Sequence, residues 1–330
     1  MTENIATPIC LVTGGAGFIG SHLVARLVEN GCQVRVLDNL STGKLGNIQP
    51  VSEDIELFEG SLLDRQLLDK SLQDVRYVFH EAALPSVPVS LKDPLATHEV
   101  CATGTLNLLD ASRQAGVQRL IYAGSSSAYG ESEALPHRED APTAALSPYA
   151  AAKLAGELYC QAFTASYGFE TVRLRYFNVF GPRQDPGSPY SAVIPLFITA
   201  ILNGKRPTIF GDGSQTRDFV YVEDVVNANI AAMNAPSHVA GGVYNVASGE
   251  SISVRELATK ISHLMDAVDD PQFEAARSGE IQHSWAETAS AREALGFVAE
   301  HSFDDALRKT VEAFIQHFVQ QGSSTETPSS

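Results

Sequence analysis

The stretch from Ile9 to Gly20 constrains the fold more than any other. An apolar run, Ile9 to Thr13, passes without a spacer into Thr13-Gly14-Gly15-Ala16-Gly17-Phe18-Ile19-Gly20, and a helix-forming segment follows from about Gly20. A second strand-like run, Gln33 to Leu37, leads into Asp38, 18 positions beyond Gly20. Strand, glycine turn, helix and strand make a βαβ unit, which obliges the two strands to lie parallel. The G-x-x-G-x-x-G spacing permits a tight turn, lets backbone N–H groups approach a pyrophosphate and ends at the positive pole of a helix. A glycine triplet alone is often no more than a loop, so its context carries the reading. A carboxylate at Asp38 can accept hydrogen bonds from ribose hydroxyls and repel a 2′-phosphate, which favours NAD over NADP. The alternative for Asp38 is a helix cap or turn residue.

The same alternation continues along the chain. Ile55 to Phe58, Tyr77 to Phe79, Leu120 to Ala123, Thr171 to Tyr176 and Val243 to Val246 read as further strands, most of them separated by helix-length segments. This is the pattern of an α/β protein with a doubly wound parallel sheet covered on both faces. After Asn178 the cluster Gly181, Pro182, Pro186, Gly187 and Pro189 breaks any regular element, so a smaller C-terminal α/β lobe is expected to begin there. The resulting division gives residues 1–177, with a returning segment at about 218–247, to the cofactor domain. Residues 178–217 and 248–321 go to a substrate lobe and 322–330 to a disordered tail.

Composition acts by exclusion. A net charge of −16 over 330 residues opposes general attraction to phosphate backbones or anionic lipid, so neither nucleic acid nor membrane is an expected partner. An anionic substrate would have to be captured by a few placed arginines. Cys10, Cys32, Cys101 and Cys160 have neither metal-ligand spacing nor the density of a disulfide scaffold, so no metal is expected and free thiols are. With no signal-peptide pattern at Met1 to Pro8 and no apolar run near the roughly 20 residues of a membrane span, cytoplasmic residence is expected.

Chemistry enters at Tyr149-Ala-Ala-Ala-Lys153, where one helical turn places a phenol and an ammonium on the same face. A phenol is a poor base at neutral pH, but a neighbouring ammonium and a positively charged nicotinamide would both favour phenolate. The spacing also occurs on many helices as a plain surface pair. Upstream, Leu120 to Ala123 runs into Gly124-Ser125-Ser126-Ser127-Ala128-Tyr129-Gly130, at the strand end where ligands bind in such sheets. Ser125 can hydrogen-bond a reacting oxygen there. A serine cluster taken singly is turn chemistry.

In this order, from about Ile9 to Phe314, these motifs resemble the extended short-chain dehydrogenase/reductase superfamily with its Rossmann-like fold. Asp38-Asn39-Leu40-Ser41-Thr42-Gly43, His80-Glu81-Ala82-Ala83, Arg175-Tyr176-Phe177-Asn178 and Arg217-Asp218-Phe219 are similar to those of UDP-hexose 4-epimerases. The resemblance implies that Tyr149 is the base, that Lys153 binds the nicotinamide ribose and tunes Tyr149, and that Ser125 assists at the sugar 4-hydroxyl. It implies an NAD site built from Gly14, Gly17, Phe18, Ile19, Gly20, Asp38, Asn39, Ser41, Thr42, Gly43, Ser61, Leu62, Ala82, Ala83 and Tyr176, beside Tyr149 and Lys153. Ser61 stands where the family often has an acidic residue near adenine. Asn178, Arg217 and Arg277 fall where the family grips UDP, and Glu280 where it holds the uridine ribose. Two surface arginines in salt bridges are the alternative. Ser86, in Leu84-Pro-Ser-Val-Pro-Val-Ser90, resembles a substrate-contacting residue of N-acetylhexosamine-active epimerases, or belongs to an ordinary proline-rich turn. Ser284 falls beside the sugar C2 substituent, or merely ends a turn.

The serine loop also bears on the reaction. Dehydratases of this superfamily need an Asp-Glu pair after the catalytic Ser/Thr, and decarboxylases usually keep a glutamate there; this chain has Ser126 and Ser127. The implied activity is therefore NAD-dependent C4 epimerisation of a UDP-hexose through a 4-keto sugar, with N-acetylated, plain and uronic-acid forms all open. The alternatives are a decarboxylase or dehydratase that recruits a carboxylate elsewhere, such as Glu131, and a cofactor-binding protein without turnover. The alanine-rich segments Leu95 to Ala115 and Tyr149 to Tyr167 correspond to helices that form a homodimer's four-helix bundle in the superfamily.

Overall fold

A computed structural model describes residues 7–132, 134–185, 192–276 and 281–324. The strands are β1 (Ile9–Thr13), β2 (Gln33–Asp38), β3 (Ile55–Glu59), β4 (Tyr77–His80), β5 (Arg119–Ser125), β6 (Glu170–Tyr176), β7 (Asn178–Phe180), β8 (Thr208–Phe210), β9 (Thr216–Arg217), β10 (Phe219–Tyr221), β11 (Val243–Val246), β12 (Ile252–Ser253), β13 (Gln272–Glu274) and β14 (His283–Ser284). The helices in the first half are α1 (Phe18–Glu29), α2 (Leu45–Ile48), α3 (Arg65–Ser71), α4 (Val87–Lys92), α5 (Pro94–His98), α6 (Gly104–Gln114) and α7 (Pro148–Tyr167), with a π-helical turn at Glu99–Thr103 joining α5 to α6. Those of the second half are α8 (Val193–Leu202), α9 (Val222–Asn234), α10 (Val254–Leu264), α11 (Ala289–Leu295) and α12 (Phe303–Ser324).

All seven strand-like runs join one parallel sheet, in the order β11-β6-β5-β4-β1-β2-β3. Two cores cover it. Leu23, Val24 and Leu27 of α1 pack with Val225 and Val226 of α9 on one face, and Leu68, Leu108, Cys160 and Phe163 of α3, α6 and α7 on the other. β5 is buried on both sides, which explains why its sequence shows no alternation. The order reverses direction beside β1, opening a crevice at the carboxyl ends of β1 and β4.

The smaller strands lie in three separate sheets, and a third core formed by residues such as Phe180, Phe197, Phe219, Tyr221, Leu257 and Leu307 packs among them. Phe219 and Tyr221 belong to this core, so the chain returns to the large sheet at α9 rather than at residue 218. α12 extends to Ser324, into the segment read as a disordered tail. α1 starts at Phe18, two residues before Gly20, because Gly17 already caps it. Among the described residues no helix is long and apolar enough to cross a membrane. The four cysteines are free thiols.

Candidate active site

The glycine turn is built for close approach. Gly14 has φ +70°, and a Cβ there would stand 2.7 Å from the Ala82 backbone; a Cβ on Gly20 would stand 2.2 Å from the Gly14 carbonyl oxygen. Side chains at these positions would push β1, β4 and α1 apart and fill the crevice. Gly17, the N-cap of α1, offers no side-chain acceptor, so the amides of the first turn keep their donors for an anion. Phe18 and Ile19 open the helix.

Asp38 is 7% exposed at the end of β2 and accepts hydrogen bonds from Ala16 N at 3.0 Å and Leu40 N at 2.8 Å. Each oxygen therefore holds one amide, so the carboxylate is also the turn residue of the alternative reading, with acceptor capacity left for ribose hydroxyls. Asn39 folds onto Ser41, accepting from its amide and its hydroxyl, while Thr42 is exposed and Gly43 packs against Ala16 and Asp38. Ser61 accepts from Leu63 N. Leu62 is buried in the second core, so only its main chain can face a nucleotide. Ala82 and Ala83 line the exit of β4. A glycine turn, a helix start without a side-chain cap and a carboxylate at the β2 end fit the pyrophosphate and ribose of NAD.

α7 carries Tyr149 and Lys153, and its ends are strongly specified. Ser147 caps it by accepting from Ala150 N, Pro148 occupies the first turn and Gly168 ends it with φ +67°. Gly156 allows the helix to rest on Tyr122, whose hydroxyl would lie 2.3 Å from a Cβ there and donates to Lys153 O at 3.0 Å. Tyr149 shares a hydrogen bond with Ser125. The Lys153 ammonium lies 4.8 Å from the centroid of the Tyr122 ring and is 3% exposed. Ser125 also accepts from Ser127, at 3.2 Å from its amide and 2.8 Å from its hydroxyl. Ser126 is half-buried in the same turn.

Electrostatics sets the resting state of the pair. Burial pushes the Tyr149 phenol up, with Cys101 and Glu81 adding to the shift and Ser125 opposing it, so the phenol of the protein alone is neutral rather than phenolate. Burial also pulls Lys153 down, although nearby Cys101, Glu81 and Glu157 restrain the shift. Drawing the proton from Tyr149 thus requires additional positive charge in the crevice.

Two neighbours on β4 and its exit escaped the sequence reading as site groups. His80 is fully buried between Thr13 (2.8 Å) and Thr105 (2.9 Å), and burial, with a smaller contribution from Lys153, lowers its pKa to about 3. Glu81 accepts from the Tyr176 hydroxyl at 2.8 Å, which itself accepts from Asn229 at 2.7 Å. Burial raises the Glu81 pKa to about 7, against the opposing effects of Tyr176 and Lys153. Tyr176, expected to contact cofactor, is thus engaged by its hydroxyl in this chain of bonds. The motif containing His80 and Glu81 was visible, but no spacing rule marks a buried carboxyl without partners in sequence.

In the smaller lobe, strand pairing brings together residues far apart in the chain. Ser284 sits directly opposite Arg217 in the β14–β9 pair. Arg217 donates to Thr216 O at 2.8 Å, and Ser284 is 8% exposed. Asn178 donates to Asp218 O through its side chain at 2.9 Å, which sets it beside Arg217. Asp218 accepts from Ser248 N and Oγ, Gly249 N and Ala286 N, at 2.8, 2.7, 3.0 and 3.3 Å. Ser86 accepts from Val89 N as the cap of α4, the turn role of the alternative reading. Arg277 and Glu280 lie outside the described residues.

Residues 10–247 match the NAD dependent epimerase/dehydratase family. The chain belongs to this family. It is 39% identical over 308 residues to the UDP-glucose 4-epimerase of Mycolicibacterium smegmatis, covering 92% of this chain and 97% of that one. A solved UDP-N-acetylglucosamine 4-epimerase of Methanobrevibacter ruminantium M1, in complex with UDP-N-acetylmuramic acid, superposes with a TM-score of 0.90 at 42% identity, covering 94% and 99% of the two chains. The UDP-N-acetyl-alpha-D-glucosaminuronate decarboxylase of Bacillus cytotoxicus is also similar, at 34% identity over 317 residues, covering 92% of this chain and 97% of that one. Family membership agrees with an NAD-using α/β enzyme and with the resemblance of the motifs to UDP-hexose 4-epimerases.

Proposed function

We propose that the protein interconverts C4 epimers of UDP-hexoses, UDP-N-acetylglucosamine with UDP-N-acetylgalactosamine and UDP-glucose with UDP-galactose. The carrying observation is the pairing of Ser284 with Arg217: a small, buried side chain lies next to the arginine assigned to the diphosphate. A guanidinium fork suits phosphate oxygens, and a serine leaves space beside it for an acetamido group.

Bound NAD supplies reversible hydride acceptance at the sugar C4. Ser125 holds the 4-hydroxyl by a hydrogen bond, and Tyr149 takes its proton as C4 becomes a ketone. Lys153 fixes the nicotinamide ribose and favours loss of the Tyr149 proton. After the sugar turns over in the pocket, C4 is reduced on its other face and Tyr149 returns the proton, leaving the cofactor unchanged. Decarboxylation is the rival reading, given the Bacillus relative. Ser126 and Ser127 disfavour it, and Glu131 is exposed.

Incubation with UDP-N-acetylglucosamine, UDP-glucose and UDP-glucuronic acid, followed by chromatography of the sugars, tests the substrate. Ser284→Tyr should abolish conversion of the N-acetylated pair and spare the plain pair. Equal losses on both would remove Ser284 from that role, and release of carbon dioxide from the uronic acid would favour the rival.

The same reading includes a homodimer. Leu91, Leu95 and Leu158, on α4, α5 and α7, are 66%, 75% and 58% exposed. Light scattering on the eluting protein should give about twice the 35.4 kDa chain mass, falling toward one chain in Leu95→Lys/Leu158→Lys.

A further inference from the structure

We propose that Arg175 and Glu157 are positioning residues, a buried clamp that sets the distance between the Tyr149–Lys153 helix and the Ser125 turn. Glu157 lies one turn beyond Lys153, so Tyr149, Lys153 and Glu157 run down one face of α7 at intervals of four. Its carboxylate meets Arg175 in a forked pair, at 2.8 Å from Nη2 and 3.1 Å from Nε. The side chains are 2% and 5% exposed. Room for the carboxylate comes from Gly124, the residue before Ser125, where a Cβ would stand 2.9 Å from Glu157 Oε1. Arg175 sits opposite Gly124 in the β5–β6 register.

The other face of the guanidinium holds the turn. Arg175 lies 4.7 Å from the centroid of the Tyr129 ring, at the end of the Ser125 turn. Tyr129 stacks on His137 at 4.7 Å with an interplanar angle of 1° and donates to Asn245 at 2.6 Å. One guanidinium therefore touches both walls between which the sugar C4 must sit. A contact that grips a carboxylate by a fork while lying over a ring needs arginine, since a lysine ammonium cannot make the fork.

Stability gives no reason for this arrangement. Replacing a buried ion pair with apolar residues of similar volume is often neutral or stabilising, whereas removing one partner strands the other. Placement of the reacting groups does give a reason, because a displacement of about 1 Å can cost on the order of a hundredfold in rate.

The clamp rests on Tyr149 and Ser125 being the reacting groups, so Tyr149→Phe is the control. The test compares wild type, Tyr149→Phe, Glu157→Leu/Arg175→Met and Arg175→Lys for melting temperature, NAD released on denaturation, and kcat and KM on whichever of UDP-glucose and UDP-N-acetylglucosamine the wild type converts. The double variant should melt near the wild type and keep its NAD and KM, with kcat reduced about 10- to 100-fold. Arg175→Lys should lower kcat in the same sense. Wild-type kcat in the double variant would overturn the clamp, as would kcat that falls only in proportion to lost NAD and lost folding. If the double variant does not fold, Arg175→Lys decides by kcat at unchanged melting temperature. Full activity in Tyr149→Phe would instead overturn the site itself.

Discussion

The wall of the site formed by α7 and β5 and the wall formed by β9 and β14 are built on opposite plans. In the first, Tyr149 and Lys153 sit on a 20-residue helix and Ser125 ends a seven-residue strand, so regular structure sets their positions. In the second, Arg217 and Ser284 sit on strands of two residues each, far too short to hold themselves. Beyond the pairing of β9 with β12 and β14, Asp218 fastens this wall, a buried carboxylate that accepts four hydrogen bonds from residues 248, 249 and 286. The first wall rests on local order, and the second on a side chain that ties distant segments together.

Mutations can break the comparison in order of effect. Tyr149→Phe should lower kcat by about 10²–10⁴-fold while the protein folds and keeps NAD, as expected for a lost acid/base; near-normal turnover would take Tyr149 out of the reaction. Asp218→Ala should destabilise the smaller lobe by about 2–4 kcal/mol, because donors on two distant segments lose their shared acceptor. Denaturant unfolding should show this, with KM rising more than NAD is lost. Equal loss of cofactor and substrate binding would mean that the two walls are not separately built.

The smallest effect sharpens the electrostatics beside α7. Glu81 faces Tyr176 from β6, Lys153 and Tyr149 from α7, and Asn229 from α9, with His80 next to it in the chain. Its pKa is raised from 4.5 to about 7, so between those values the folded protein holds a proton that the unfolded chain has lost. Stability from this group is therefore full below about pH 4.5 and is lost as pH rises toward 7, with a slope of at most about 1.4 kcal/mol per unit. His80, lowered to about 3 from 6.5, has the opposite slope, so the informative quantity is the difference from a variant. Glu81→Gln should gain stability relative to wild type as pH rises from 5 to 7. Parallel curves would mean that Glu81 is ionised throughout.

The sequence disclosed the first wall far better than the second. Seven strands were legible because each is a short apolar run and most are separated by helix-length segments, and α7 because Ser147, Pro148 and Gly168 mark its ends. Arg217 and Ser284 were legible only by resemblance, since nothing near either residue says that they pair. How far burial raises the Tyr149 phenol was not legible, because the depth of a side chain is a tertiary property. Glu157 stood four positions after Lys153, and that spacing was available but unused.

The position of Asp218 also bears on the order in which the chain can fold. Six of the seven strands of the large sheet are complete by Tyr176. The Asp218 knot closes only when residue 286 has arrived, 68 positions on, about the separation that the pairing of β1 with β4 already spans within the large sheet. On a ribosome, the crevice at the ends of β1 and β4 can therefore form well before the wall of β9 and β14.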